Sequence, residues 1–105
     1  MEFDLNAILK QVQNLQAQMK NVQNELALQT VTAESGGGMV TAVVSGRQEI
    51  KQIKLDPICV DPRDIPMLED LIVAAVNEAL KKSRELANDE MRKVTGGLPL
   101  PFDLV

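Results

Sequence analysis

The strongest constraint in this sequence is a run of apolar residues near its N-terminus, spaced alternately by three and four positions. The run occupies the a and d positions of a heptad repeat and continues unbroken over three repeats. It predicts an α-helix over residues 5–28 with one apolar seam. A seam of this length needs a partner helix, in the same chain or in another. Its members are Leu5, Ile8, Val12, Leu15, Met19, Val22 and Leu26.

The other faces of this predicted helix carry amides where most coiled coils carry charges. Lys10 and Lys20 fall at f and b heptad positions and face away from the seam. Two interpretations remain open, a solvated coiled-coil face or a face that lies along a polyanion without repelling it. The amides are Gln11, Gln13, Asn14, Gln16, Gln18, Asn21, Gln23 and Asn24.

Residues 30–55 have the short alternating patterns of β-strands, which we place at about 30–34, 39–45 and 49–55. In the last strand Ile53 and Leu55 fall on one face and Ile50 on the other, which raises the alternative of a β-bulge near Gln52. Because the links between the strands are short, the pattern predicts a three-stranded antiparallel meander.

The glycines in "ESGGGMV", at 34–40, suggest either a phosphate-binding loop or a flexible entry into a strand. A phosphate loop of the P-loop type needs a helix after it and a Lys-Ser/Thr pair at its end, and a dinucleotide fingerprint also needs the helix. Here the glycines run into "VTAVVS" and offer no lysine. The sequence therefore predicts a hairpin connection between two strands.

Residues 56–66 contain three prolines and end the sheet, and Asp61 or Asp64 can cap the helix that follows. From about 65 to 95 the pattern is helical and apolar over more than half of the girth. Such a helix is covered on two sides, by the sheet and by either the first helix or a second subunit. The glycines and prolines of 96–105 predict a helix stop and an extended tail.

The composition argues against catalysis and metal binding. The chain has no histidine, the commonest general base and metal ligand. Its one cysteine, Cys59, excludes an internal disulfide and a cysteine-rich zinc site, and no neighbouring base makes it a nucleophile. We therefore expect one non-catalytic domain over residues 1–105, without metal, cofactor or small-molecule substrate, in a reducing, cytosolic compartment.

Charge and hydropathy narrow the possible partners. The net charge is −4 with a pI near 4.7, so any DNA binding must come from a local basic surface. No stretch reaches the roughly 18 apolar residues of a membrane span. The N-terminus "MEFDLNAILK" is acidic and lacks the basic start of a signal peptide, so no membrane partner is expected.

Four motifs in order resemble the YbaB/EbfC family of small bacterial nucleoid-associated proteins, over essentially the whole chain. They are "ESGGGMV" at 34–40, "IKLDP" at 53–57, "MLEDLIVAAVNEAL" at 67–80 and "TGGLPLP" at 95–101. The resemblance implies an α+β fold of order α-β-β-β-α and a homodimer whose long helices project like tweezers. It also implies binding of double-stranded DNA in the cytoplasmic nucleoid, with a role in nucleoid organisation or gene regulation.

Candidate site residues follow from the two helices. We expect DNA contacts from Lys10 and Lys20 and from Lys81, Lys82 and Arg84 in "LKKSRE". Glu78 and Glu85 lie at helical spacing from the two adjacent lysines, which predicts exposed ion pairs and leaves Arg84 locally free. The predicted dimer interface comprises Leu68, Leu71, Ile72, Ala75, Val76 and Ala79.

A second function class competes with DNA binding. The amide-rich first helix and the low pI also suit a dimeric adaptor that binds another protein through its helical arms. Phosphate contacts make affinity fall steeply with salt, so a salt titration of duplex binding separates the two classes.

Overall fold

The computed structural model describes residues 4–95 and has the predicted order of elements, α-β-β-β-α. Two one-turn 3-10 segments, Gly36–Gly38 and Pro57–Cys59, connect β1 to β2 and β3 to α2. The tail predicted over 96–105 lies outside the described residues. The bounds are α1 Leu5–Leu28, β1 Thr30–Ser35, β2 Val40–Ser45, β3 Ile50–Leu55 and α2 Ile65–Thr95.

Both helices begin at an aspartate cap. Asp4 Oδ1 accepts hydrogen bonds from the backbone N–H groups of Asn6 and Ala7 at 3.1 and 3.2 Å. Of the two caps considered for α2, Asp64 is the one used, since its Oδ1 accepts from Met67 N at 3.2 Å. These bonds satisfy amide groups that have no partner within the helix.

The three strands form an antiparallel sheet in the order β1-β2-β3, which confirms the meander. The glycines connect β1 to β2, and all three have a positive φ, between 61° and 95°. Residues with side chains rarely adopt that conformation, which explains the choice of glycine. The segment therefore runs from strand to strand, as the sequence predicts.

A bulge in β3 confirms one of the two alternatives left open. Val43 pairs with Gln52 but Val44 pairs with Ile50, so Lys51 is the extra residue. Cross-strand partners share a face of the sheet, and Ile50 therefore lies on the same face as Ile53 and Leu55. Without the bulge it would have faced the other way.

Helix α2 lies across β1 and β2 and forms the core with them. Ala75 and Ala79 are fully buried against the fully buried residues Val40, Ala42 and Val44 of β2. Small residues on the helix let it approach the sheet closely, which suits a core that contains no aromatic ring.

Candidate nucleic-acid interface

Both helices extend beyond the sheet at the same end and pack together there. Helix α2 runs antiparallel to β1, because Leu71 O accepts from Ser35 Oγ, and Ser83 Oγ donates to Ser45 O near the other end of the sheet at 2.7 Å. Gly46 N, just after β2, donates to Leu26 O at 2.9 Å, which fixes the end of α1 beside this edge. We call α1 together with residues 84–95 of α2 the arm.

The arm makes the molecule long and narrow. Leu26 of α1 and Ala87 and Met91 of α2 are buried, and together they line one small pocket of about 190 Å³. The helices therefore meet along the C-terminal part of α1, next to the sheet. The molecule measures 74 × 22 × 16 Å along its principal axes.

The two α1 lysines predicted to contact DNA are exposed on the arm. Neither Lys10 nor Lys20 makes an ion pair or hydrogen bond with any of residues 4–95. Ten residues of helix separate them, so they lie about 15 Å apart along its axis. Both are fully available to a phosphate group.

The α2 cations predicted to contact DNA lie at the root of the arm, beside the sheet. Within residues 4–95 the expected ion pairs with Glu78 and Glu85 do not form, so that prediction is wrong. Lys82 Nζ instead donates to the backbone carbonyl of Thr32 at 3.1 Å, a partner that carries no negative charge. In that same range Lys81 and Arg84 are exposed and unpaired.

The structure groups the α2 cations but does not bring Lys10 to them. The two helices meet where Leu26 of α1 lies beside Ala87 of α2. Lys81 and Lys82 precede Ala87 by about a turn and a half, toward the sheet. Lys10 lies sixteen residues before Leu26, on the side away from the sheet. At 1.5 Å per residue the two ends of the set are separated by roughly 30 Å along the arm. The candidate interface is therefore a line of charges rather than a patch.

Sequence reasoning missed one cation near this line. Arg47 follows Gly46 in the turn between β2 and β3, beside the end of α1, and its guanidinium has no ion-pair partner within residues 4–95. The turn "SGRQE" was recognisable, but nothing in the sequence brings it next to Leu26.

Negative charge is concentrated at the opposite end of the molecule. Residues 56–70 contain five of the fifteen acidic residues and one of the eleven basic residues, so this segment alone accounts for the net charge of −4. The remaining ten acidic and ten basic residues cancel. In this segment Arg63 donates to Asp61 through its side chain and its backbone N–H, and both bonds lower the pKa of the Asp61 carboxyl.

The predicted interface residues are divided between the core and its margin. Ala75 and Ala79 have no exposed surface left in the protomer, because the sheet covers them. Leu68, Leu71, Ile72 and Val76 are half-buried at the edge of the core. Their contact with a second chain remains a prediction.

An uncovered apolar surface next to the core belongs to β3. Ile50, Ile53 and Leu55 are 50%, 40% and 41% exposed although they share a sheet face with the buried row of β2. Leu71 and Lys82 face β1, so by helical geometry Ile72 and Val76 lie on the opposite flank of α2, toward β3.

The match to a family model decides which family this fold and arm represent. The model of the YbaB/EbfC DNA-binding family matches residues 1–98. The chain belongs to this family. Within residues 4–95 of this family member, no helix is long and apolar enough to cross a membrane, and no cluster of potential metal ligands occurs.

Individual relatives agree with the assignment. The chain is 57% identical over 93 residues to a nucleoid-associated protein of Syntrophobacter fumaroxidans, covering 89% of this chain and 84% of the relative. It is 50% identical over 98 residues to one from Clostridium acetobutylicum, covering 93% and 88%. A crystal structure of an uncharacterised protein from Helicobacter pylori shares the fold, with a TM-score of 0.81, 18% identity, and coverage of 90% of this chain and all of the other.

Proposed function

We propose that this YbaB/EbfC protein binds duplex DNA as a homodimer, mainly through phosphate contacts, and serves nucleoid organisation or gene regulation in the cytoplasm. The observation that carries the proposal is the separation of charge along the molecule. Lys10, Lys20 and Arg84 lie on the arm without an ion-pair partner among residues 4–95, and the segment that holds the whole net negative charge lies at the other end. The relatives' description as nucleoid-associated proteins supports the same conclusion.

Phosphate contact suits the arm better than base readout. Lysine and arginine neutralise phosphates, and amide side chains such as those of α1 also donate hydrogen bonds to them. The roughly 30 Å between the ends of the charged line is close to one turn of B-DNA, about 34 Å. The arm is therefore long enough to reach successive phosphates along one duplex.

Duplex DNA is a better ligand than single strands. Single-strand binding relies on aromatic side chains on which bases stack. The sequence has only Phe3 and Phe102, and residues 4–95 contain no aromatic residue. Stacking therefore adds nothing along the described part of the arm.

The uncovered apolar face beside the core supports the proposed homodimer. Ile50, Ile53 and Leu55 of β3 and Val73 of α2 are exposed next to the half-buried Ile72 and Val76. An isologous contact between two copies would bury this row twice and complete the cover of the sheet. A small domain without aromatic core residues gains most from such a shared surface.

The test is a salt titration of binding to random-sequence duplex, read by fluorescence anisotropy. We expect affinity to fall linearly on a log–log plot against salt. The Lys10→Glu, Lys20→Glu double variant should weaken binding for all sequences and reduce the slope by about one for each phosphate that is no longer neutralised. Arg84→Glu should act in the same direction.

The matched control for Arg84→Glu is Lys54→Glu, which makes the same single charge reversal on an exposed lysine of the sheet, away from the arm, that has no ion-pair partner among residues 4–95. It should change binding much less than Arg84→Glu. Equal reductions in affinity would mean that net charge rather than the arm governs binding. A wild-type protein without salt-sensitive binding would favour the adaptor function, for which the exposed apolar residues of α1 provide a surface.

A further inference from the structure

The apolar seam of α1 divides into a covered part and an uncovered part. Met19 and Val22 are half-buried and Leu26 is buried in the contact with α2. The four seam residues before them are between 37% and 60% exposed, and we call them the distal seam: Leu5, Ile8, Val12 and Leu15.

The occupant of the distal seam should be a helix. The exposed residues continue the heptad register of the covered seam residues in the C-terminal part of α1. Within residues 4–95 no segment covers them. The sequence after Thr95 begins Gly-Gly and contains Pro99 and Pro101, a composition that disfavours continuing α2 along the seam.

The spacing of the distal seam is the same in both directions. Leu5, Ile8, Val12 and Leu15 are separated by three, four and three residues, with leucine at both ends and a β-branched residue at both inner positions. An antiparallel copy of the helix therefore places Leu5 opposite Leu15 and Ile8 opposite Val12. This is the self-complementarity that a two-fold, isologous contact requires.

The flanks of the distal seam also permit pairing with a copy. The neighbouring e and g positions are Leu9, Gln11, Gln16 and Gln18, none of which is charged. A copy therefore brings no like charge against itself, and no charge pattern selects a different partner. Lys10 stands at the outer f position and stays exposed when the seam is covered.

We infer that the distal seam is a self-association surface through which the arm of one molecule pairs antiparallel with the arm of a second copy. Two proposed homodimers joined in this way form an assembly of at least four chains. Because Lys10 and Lys20 face away from the seam, such an assembly holds two duplexes at once. The contact is small and therefore weak between free dimers. DNA raises the local concentration of bound dimers, which increases the fraction of arms that are paired.

The first experiment is sedimentation equilibrium at high micromolar concentration. Val12→Glu places a charge in the centre of the seam, and Gln13→Glu adds the same charge one residue away on an outer face. We expect at least four chains for the wild type and Gln13→Glu, and two chains, at least a twofold fall in mass, for Val12→Glu. Circular dichroism and the melting temperature should be unchanged in both variants, because neither position contacts the core.

A third variant keeps this inference separate from the proposed homodimer. Ile53→Glu disrupts the uncovered sheet face and should leave two chains, joined through the arms. Combining it with Val12→Glu should give single chains. If Ile53→Glu alone has no effect on mass, the proposed homodimer face is wrong, whereas equal masses for wild type and Val12→Glu overturn the arm pairing.

The second experiment tests the register. In the antiparallel arrangement Ile8→Cys and Val12→Cys variants should form an intermolecular disulfide rapidly when mixed, and slowly when each is alone. The native cysteine, Cys59, is buried, and the wild-type protein measures the background rate of cross-linking through it. Faster cross-linking of either variant alone would contradict the register.

The functional readout is capture of a labelled duplex by a bead-bound duplex. Wild type should bridge the two, and Val12→Glu should bind each without bridging. Bridging retained by Val12→Glu would overturn the inference, even if binding to a single duplex is as proposed.

Discussion

Strands β2 and β3 are hydrogen-bonded neighbours of equal length, and their inward rows are both apolar, yet their environments are opposite. Val40, Ala42 and Val44 of β2 are completely buried. Their partners across the ladder, Leu55, Ile53 and Ile50, keep 40–50% of their surface exposed. The difference arises because α2 crosses β1 and β2 and leaves β3 uncovered. A strand's own sequence determines which face is apolar, and the path of another element determines whether that face is buried.

The largest expected effect tests this contrast directly. Val44→Asp should abolish folding, because a buried, unpaired carboxylate costs several kcal/mol, a large part of the roughly 5–15 kcal/mol typical of a small domain. Ile50→Asp, at the partner position on β3, should leave the chain folded. Circular dichroism and urea unfolding measure both variants. Similar losses of stability for the two would show that the faces do not differ as described.

The next effect concerns the end of β2. A Cβ on Gly46 would lie 2.7 Å from the carbonyl oxygen of Leu26 and 2.9 Å from its Cδ2 atom. Gly46→Ala should therefore reduce the free energy of unfolding by about 1–3 kcal/mol, as overpacking does. The turn before β3 should behave differently, since Gln48 has a φ of 64°, a conformation that glycine adopts without strain. Gln48→Gly should be neutral or stabilising, and a destabilisation comparable with that of Gly46→Ala would contradict this.

A smaller effect is expected where β2 is joined to α2. The buried Ser83 hydroxyl donates to Ser45 O at 2.7 Å, and that carbonyl also accepts from Gln48 N at 2.9 Å. Ser83→Ala removes one of two donors, so we expect the free energy of unfolding to fall by about 1 kcal/mol in thermal or urea unfolding. Gln52→Ala on exposed β3 serves as the control and should change stability by no more than about 0.5 kcal/mol.

The smallest effect lies in the segment that follows β3. The side chain of Arg63 is the main cause of the lowered pKa of Asp61, so Arg63→Ala should raise that pKa toward its ordinary value, as measured by NMR titration. A carboxyl with a lowered pKa adds stability above its unfolded pKa and loses it as pH falls through the folded pKa. The Arg63 side chain is almost fully exposed and solvent screens the pair, so the unfolding free energy near neutral pH should not change detectably. An unchanged Asp61 pKa would assign the shift to the Arg63 backbone N–H alone.

Local patterns predicted the elements well because each has a strong periodic signal. The heptad run predicted α1 at its observed bounds, and the mixed facing of Ile50 and Ile53 pointed to the bulge that the structure contains. The same patterns could not say which apolar residues the chain itself would cover. Ala75 and Ala79 were expected in a dimer interface, and the sheet covers them completely.

The candidate site was less predictable than the fold. Lys10 and Lys20 could be identified from their heptad positions, since a position away from the seam must face solvent. Arg47 could not, because its proximity to α1 depends on the long-range hydrogen bond between Gly46 and Leu26. The acidic segment 56–70 was not apparent from the net charge of the whole chain, because it is seen only when charges are counted segment by segment.

The elongated shape has a hydrodynamic consequence. The radius of gyration is 19.5 Å, whereas a compact chain of this length would have about 13 Å. Friction with solvent therefore exceeds that of a sphere of equal mass, and the protein should elute early from a gel-filtration column calibrated with globular standards. An early peak alone would make a monomer look like a dimer. The number of chains must come from a method that does not assume a shape.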